Sequence, residues 1–120
     1  MLINLSNHPL STWSNKQKNA AVALYGEIVD YPFPHVSPDK DIGEIKELAQ
    51  SIFEEIINLN EDKEITIHIM GEFSLVYQLV CLFQLKKIPC VLSTSNRIVE
   101  EQTDGSKKVF FDFVKFRSYY

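Results

Sequence analysis

The first apolar run, Leu2 to Ser6, ends at Asn7-His8-Pro9, so a buried strand is expected to open into a loop. Ser14 stands where it can cap a helix running to about Tyr25. Its Gln17, Lys18 and Asn19 would face outward and its Ala20, Ala21, Val22 and Leu24 a core, with Gly26 as the stop. Glu27 to Tyr31 reads as a second strand. Pro32 to Pro38 carries three prolines in seven positions, which cannot donate ladder hydrogen bonds, and so predicts a rigid loop able to serve as a lid. From Asp41 onward, Ile42, Ile45, Leu48, Ala49, Ile52, Phe53 and Ile56 recur at three- and four-residue steps, the stripe of an amphipathic helix. Ile65, Ile67 and Ile69 alternate with Thr66 and His68 in a third strand that stops at Gly71. Phe73 to Lys87 is apolar on nearly every side and predicts a helix that needs cover all round, with a partner subunit as one source of it. Pro89 opens a short fourth strand, Cys90 to Leu92, which leads into the polar run Ser93 to Arg97. Ile98 to Gln102 and Lys108 to Arg117 flank Thr103-Asp104-Gly105-Ser106, a hairpin signal.

The order is therefore βαβαβαβ followed by ββ, within one domain covering residues 1–120. Alternation of this kind predicts an α/β fold with a mainly parallel sheet covered by helices, closed here by a C-terminal antiparallel β-hairpin. Hydrophobic residues at 45% and charged residues at 23% suit an ordinary globular chain. A net charge of -4 argues against a general grip on duplex DNA or RNA, which relies on many Lys and Arg, but leaves room for a small anion in a local basic pocket. Cys81 and Cys90 lack metal-ligand spacing and read as small buried hydrophobes; no metal or cofactor is expected. The apolar start has no basic leader and meets Pro9 early, and no run is long enough for a membrane span. Cytoplasmic residence is the expectation.

In open α/β sheets, ligands bind outside the carboxyl ends of the strands, where helix N-termini present unpaired amides. Three polar clusters fall at that edge: Asn7-His8, Gly71-Glu72-Phe73 and Ser93-Thr94-Ser95-Asn96-Arg97. The last offers hydroxyl and amide donors before a guanidinium able to grip a phosphate in two-pronged fashion, or else is a polar turn entering the hairpin. Gly71 lets backbone approach a ligand, or serves the strand-to-helix junction; Glu72 binds, or complements the helix dipole. His8 is a candidate acid or base, or part of a turn built for its shape. His68 reads as an ordinary strand residue and His35 as a loop residue. Trp13 could stack on a base or anchor the core. Glu100 and Glu101 are neighbours on a strand and point to opposite faces, so they form no acid/base dyad.

The sequences Ile69-Met70-Gly71-Glu72-Phe73, Ile88-Pro89-Cys90-Val91-Leu92-Ser93-Thr94, Arg97, Asp104-Gly105 and Phe113-Val114-Lys115-Phe116-Arg117-Ser118-Tyr119, with an Asn-His-Pro-Leu-Ser start, are similar to the small standalone CRISPR-associated ring nucleases of type III systems. The resemblance implies a Rossmann-like sheet with helices on both faces, a homodimer, and binding of cyclic oligoadenylate, cyclic tetra-adenylate foremost. It further implies metal-independent cleavage by the ligand's own 2′-hydroxyl, which would switch off the antiviral signal. On that reading His8, Thr94 and Arg97 carry the chemistry. Asn7, Ser11, Gly71, Glu72, Phe73, Ser74, Ser93, Ser95, Asn96 and Arg117 bind the ligand. Two departures stand out: Glu72 replaces an expected aspartate, and Ser95-Asn96 separate Thr94 from Arg97 by one residue more than expected. A non-catalytic binder that sequesters the cyclic nucleotide, or an interaction subunit without ligand, are the alternatives.

Overall fold

The computed structural model describes residues 1–120. Its elements are β1 (Leu2–Ser6), α1 (Asn15–Tyr25), β2 (Ile28–Pro32), α2 (Ile42–Leu59), β3 (Thr66–Met70), α3 (Phe73–Leu85), β4 (Cys90–Glu101) and β5 (Lys107–Ser118), with a 3-10 turn at Leu10–Thr12. They build one five-stranded sheet in the order β2-β1-β3-β4-β5. The first four strands run parallel to their neighbours, and β4 and β5 pair antiparallel. The α/β architecture with its C-terminal hairpin is thus as the sequence predicts, and the arrangement is Rossmann-like. Strand order reverses between β1 and β3, which makes that junction the topological switch point.

The helices cover both faces. Against α2 and α3 lies the larger core, with Ile3, Leu5, Ile52, Ile56, Ile67, Leu75, Leu79 and Phe83, where Phe53 and Phe83 meet edge to face at 5.2 Å. Against α1 lies a smaller one of Leu2, Trp13, Ala21 and Val91. Being central and covered on both sides, β1 is buried at all five positions, which explains an apolar run without alternation. The predicted cap and stop of α1 form, with Ser14 accepting from the Gln17 amide at 3.1 Å and Gly26 leaving the helix at φ +80°; at the start of α2, Asp41 accepts from the Glu44 amide at 3.0 Å.

Four expectations are revised. The fourth strand does not stop at Leu92 but continues through Ser93–Arg97 to Glu101, so the two strands read there are one. Antiparallel pairing with β5 supplies the backbone partners, and the polar run contains no Gly or Pro to interrupt it; a register irregularity falls between Thr94 and Ser95. The hairpin turns at Gln102–Ser106 with Gly105 at φ +84°. Pro32 does belong to the sheet, because β2 is an edge strand and Pro32 is its last residue. On α1 only Ala21 is buried, and Val22 and Leu24 are exposed, since the face that meets the sheet runs through Gln17, Ala21 and Tyr25, with Gln17 turned inward and not outward. On α3, Leu75, Leu79 and Phe83 are buried while Phe73, Tyr77 and Leu85 are open to solvent at 90%, 66% and 82%.

With 12 residues in each of β4 and β5 against five in β1, β2 and β3, the hairpin outruns the sheet. Only Cys90 and Val91 pair with β3, so the distal part is a two-stranded arm. The Cα radius of gyration, 16.1 Å, exceeds the roughly 14 Å expected of a 120-residue domain for this reason. No helix is long and apolar enough to cross a membrane.

Candidate functional site

Two clefts of comparable size lie at opposite edges of the sheet. The larger, about 550 Å³, is at the amino-terminal edge among Met1, Lys63, Lys87 and Pro89, and no buried polar side chain stands behind it. The other, about 440 Å³, opens at the carboxyl edge beside the switch point. Position and chemistry favour the second. Its floor is His68 and Met70 of β3 and Ser93 and Ser95 of β4; one wall is His8, Trp13 and Gln17, and the other is Phe111 and Phe113 of β5.

Behind this cleft is all of the buried polarity in the molecule: Asn4, Ser6 and His68 are its only buried polar residues. They belong to one network. Asn4 Nδ2 donates to Asp30 Oδ1 at 2.8 Å and to the His8 carbonyl at 2.9 Å. Asn4 Oδ1 accepts from Ser6 Oγ at 2.7 Å and lies 2.8 Å from His68 Nδ1. His68 Nε2 is 2.7 Å from Ser93 Oγ, which also accepts from Gln17 Nε2 at 3.0 Å. The His8 carbonyl takes a further bond from the Trp13 indole at 2.9 Å, tying the loop after β1 to the cleft wall. No buried side-chain polar atom lacks a partner. Burial above all, and then the neighbouring His8, push the His68 pKa down to about 4, so its imidazole is neutral near pH 7.

The sequence-predicted residues are divided by this geometry. His8, Ser93 and Ser95 line the cleft together. Asn7 lines a neighbouring hollow of about 200 Å³ between β1 and β2, and Ser11 is exposed on the 3-10 turn, where Thr12 is the residue that reaches the cleft. Thr94 points elsewhere, donating to the Lys115 carbonyl at 3.0 Å. Asn96 and Arg97 are exposed on β4 where the arm begins. Arg97 pairs with Phe111, which places it beside the cleft without lining it. Arg117 is exposed opposite Leu92. The Gly71–Ser74 group lies outside the cleft. The space a Cβ would take at Gly71 is filled by the Phe33 ring, 2.6 Å away, so the close approach there is made by a side chain of the proline-rich loop. Glu72 is the N-cap of α3, accepting from the amides of Ser74 and Leu75 and from Ser74 Oγ. The Ser74 hydroxyl first, then the Leu75 amide, hold its carboxyl below the usual range. Phe73 projects into solvent.

Sequence reasoning took His68 for an ordinary strand residue and Gln17 for an outward-facing one, and passed over Asn4. A signal existed: Asn4 and His68 are the polar breaks in Leu-Ile-Asn-Leu and Ile-His-Ile, and they are register partners across β1 and β3. The profile described as the uncharacterized protein MJ1673 family matches residues 1–117. The chain belongs to this family. The matched span contains every residue of the cleft and its network. No curated protein and no solved structure matches the chain.

Proposed function

We propose that the carboxyl-edge cleft binds cyclic oligoadenylate, cyclic tetra-adenylate foremost, and cleaves it, ending a type III CRISPR antiviral signal. The observation that carries this reading is the composition of the cleft, with hydrogen-bonding groups from Gln17, Ser93 and Ser95 beside the exposed ring of Phe111 and the buried rings of Trp13 and Phe113 in its walls. A nucleotide asks for that pairing, an aromatic face for the base and donors for the phosphate and ribose. A volume of about 440 Å³ suits one nucleotide unit better than a whole ring. A ring is a symmetric polyanion, and a twofold dimer would present it with two such clefts. The arm surface of Val99, Val109 and Phe111, which continues the cleft wall, is the surface we assign to the partner copy. Arg97, exposed near the cleft on the arm, supplies the positive charge for the phosphate.

Cleavage proceeds by in-line attack of the ribose 2′-hydroxyl on its neighbouring phosphorus, so that positioning and charge stabilisation provide most of the acceleration. Two free cysteines, Cys81 and Cys90, suit a reducing cytoplasm. The test is incubation with cyclic tri-, tetra- and hexa-adenylate in EDTA, with products separated by chromatography. Linear products ending in a 2′,3′-cyclic phosphate, sharply reduced by Arg97→Ala, are expected. An unchanged ring retained by the protein would leave a sequestering protein, and no retention would overturn both readings.

A further inference from the structure

The network behind the cleft fixes the position of one proton. The Asp30 carboxylate and the His8 carbonyl only accept, so the Asn4 amide must turn its NH2 toward them and its Oδ1 toward Ser6 and His68. Two acceptors cannot face each other at 2.8 Å, so His68 Nδ1 carries the hydrogen. The imidazole being neutral, Nε2 keeps its lone pair, and at 2.7 Å it receives the Ser93 hydroxyl proton. Gln17 donates to the same Ser93 oxygen, leaving one lone pair for the cleft. Trp13 and Phe116 meet the His68 ring edge to face at 5.1 and 5.7 Å and resist its rotation.

We propose that Ser93 is the group that takes the proton from the attacking hydroxyl, backed by His68 as the final acceptor, with Asn4 and Asp30 holding the imidazole in its tautomer. The inference rests on the nuclease reading of the cleft and deepens it. As the ribose O2′ bonds to phosphorus, its proton passes to Ser93 Oγ and the Ser93 proton to His68 Nε2. The bond from phosphorus to O5′ breaks, the leaving oxygen takes a proton from water, and the hydroxide so formed discharges His68. A strand core alone has no need of this arrangement: three buried polar residues lie on the two central strands, and their chain ends on a hydroxyl that lines the cleft. Asn4 and His68 are positioning residues here, and Ser93 is the catalytic one.

Two measurements test the relay. Nitrogen-15 spectra of the wild-type protein report which His68 nitrogen is protonated, and the pH dependence of kcat/KM for ring cleavage reports the free enzyme's titrating groups. The expected results are a protonated Nδ1, a bare Nε2, and a rate that climbs with pH through about 4 and then levels. Ser93→Ala and His68→Gln should lower kcat by about 100-fold or more, and Ser93→Thr should restore much of the loss. His68→Gln should also erase the acid limb. Should that variant fail to fold, Ser93→Ala carries the rate comparison. An Nε2–H tautomer in the wild-type protein, or variants that cleave as it does, would overturn the relay. If the wild-type protein cleaves no ring, the nuclease reading and the relay that rests on it fall together whichever nitrogen carries the proton, whereas ring cleavage by a protein with an Nε2–H tautomer overturns the relay alone.

Discussion

Keeping His68 neutral inside the sheet ties the stability of the protein to pH. Its pKa falls from 6.5 to about 4 on folding, so between those values the unfolded chain holds a proton that the folded chain refuses. The contribution is therefore fully present above about 6.5, declines as pH falls toward 4, and is exhausted below it. The loss amounts to about 3 kcal/mol. Urea unfolding at pH 7 and pH 4.5 should show this decline, and His68→Gln should flatten its share of it; an equal slope in the variant would contradict the assignment. Part of this was legible in the sequence and part was not. The polar breaks at Asn4 and His68 were visible, but their pairing depends on β1 and β3 being neighbours in register, a long-range fact that local spacing does not contain. Conversely, Thr94 read as a rim residue because consecutive Ser and Thr look alike in a sequence, whereas on a strand successive side chains alternate between faces.

At the scale of elements, the capping and turn signals were dependable because they are local chemistry: Ser14, Gly26 and Asp104-Gly105 all act where the sequence places them. The length of β4 was not, since a polar run becomes strand only when β5 returns to pair with it. The loop from Pro32 reads in the sequence as rigid and able to serve as a lid; its Phe33 lies on Gly71 and packs against the larger core. Gly71→Ala should push that ring aside and cost about 1 kcal/mol in urea unfolding, and the cost should shrink in a Phe33→Ala background. Additive losses in the double variant would show that the two residues do not meet. Glu72→Ala should cost a similar amount, about 1 kcal/mol, through the lost cap of α3. Ring binding should survive that substitution, because Glu72 lies outside the cleft.

At the scale of the molecule, the fold leaves two apolar surfaces uncovered: the Phe73–Tyr77 side of α3, and the arm with Val99, Val109 and Phe111. Light scattering should give twice the 13.9 kDa mass of one chain, and Val99→Glu with Val109→Glu on the arm should return it to a single copy. A wild-type monomer would remove the dimer from the account and leave each cleft to act alone. The claim on which the rest depends is that the carboxyl-edge cleft, and not the larger cleft at the opposite edge, receives the ligand. Amide and indole nitrogen spectra recorded during titration with cyclic tetra-adenylate test it most directly. The account predicts that the Trp13 indole, the Gln17 side-chain amide and the Ser93 and Ser95 amides shift together, while Lys63 and Lys87 stay in place. Shifts confined to Lys63, Lys87 and their neighbours, or no shifts at all, would contradict it.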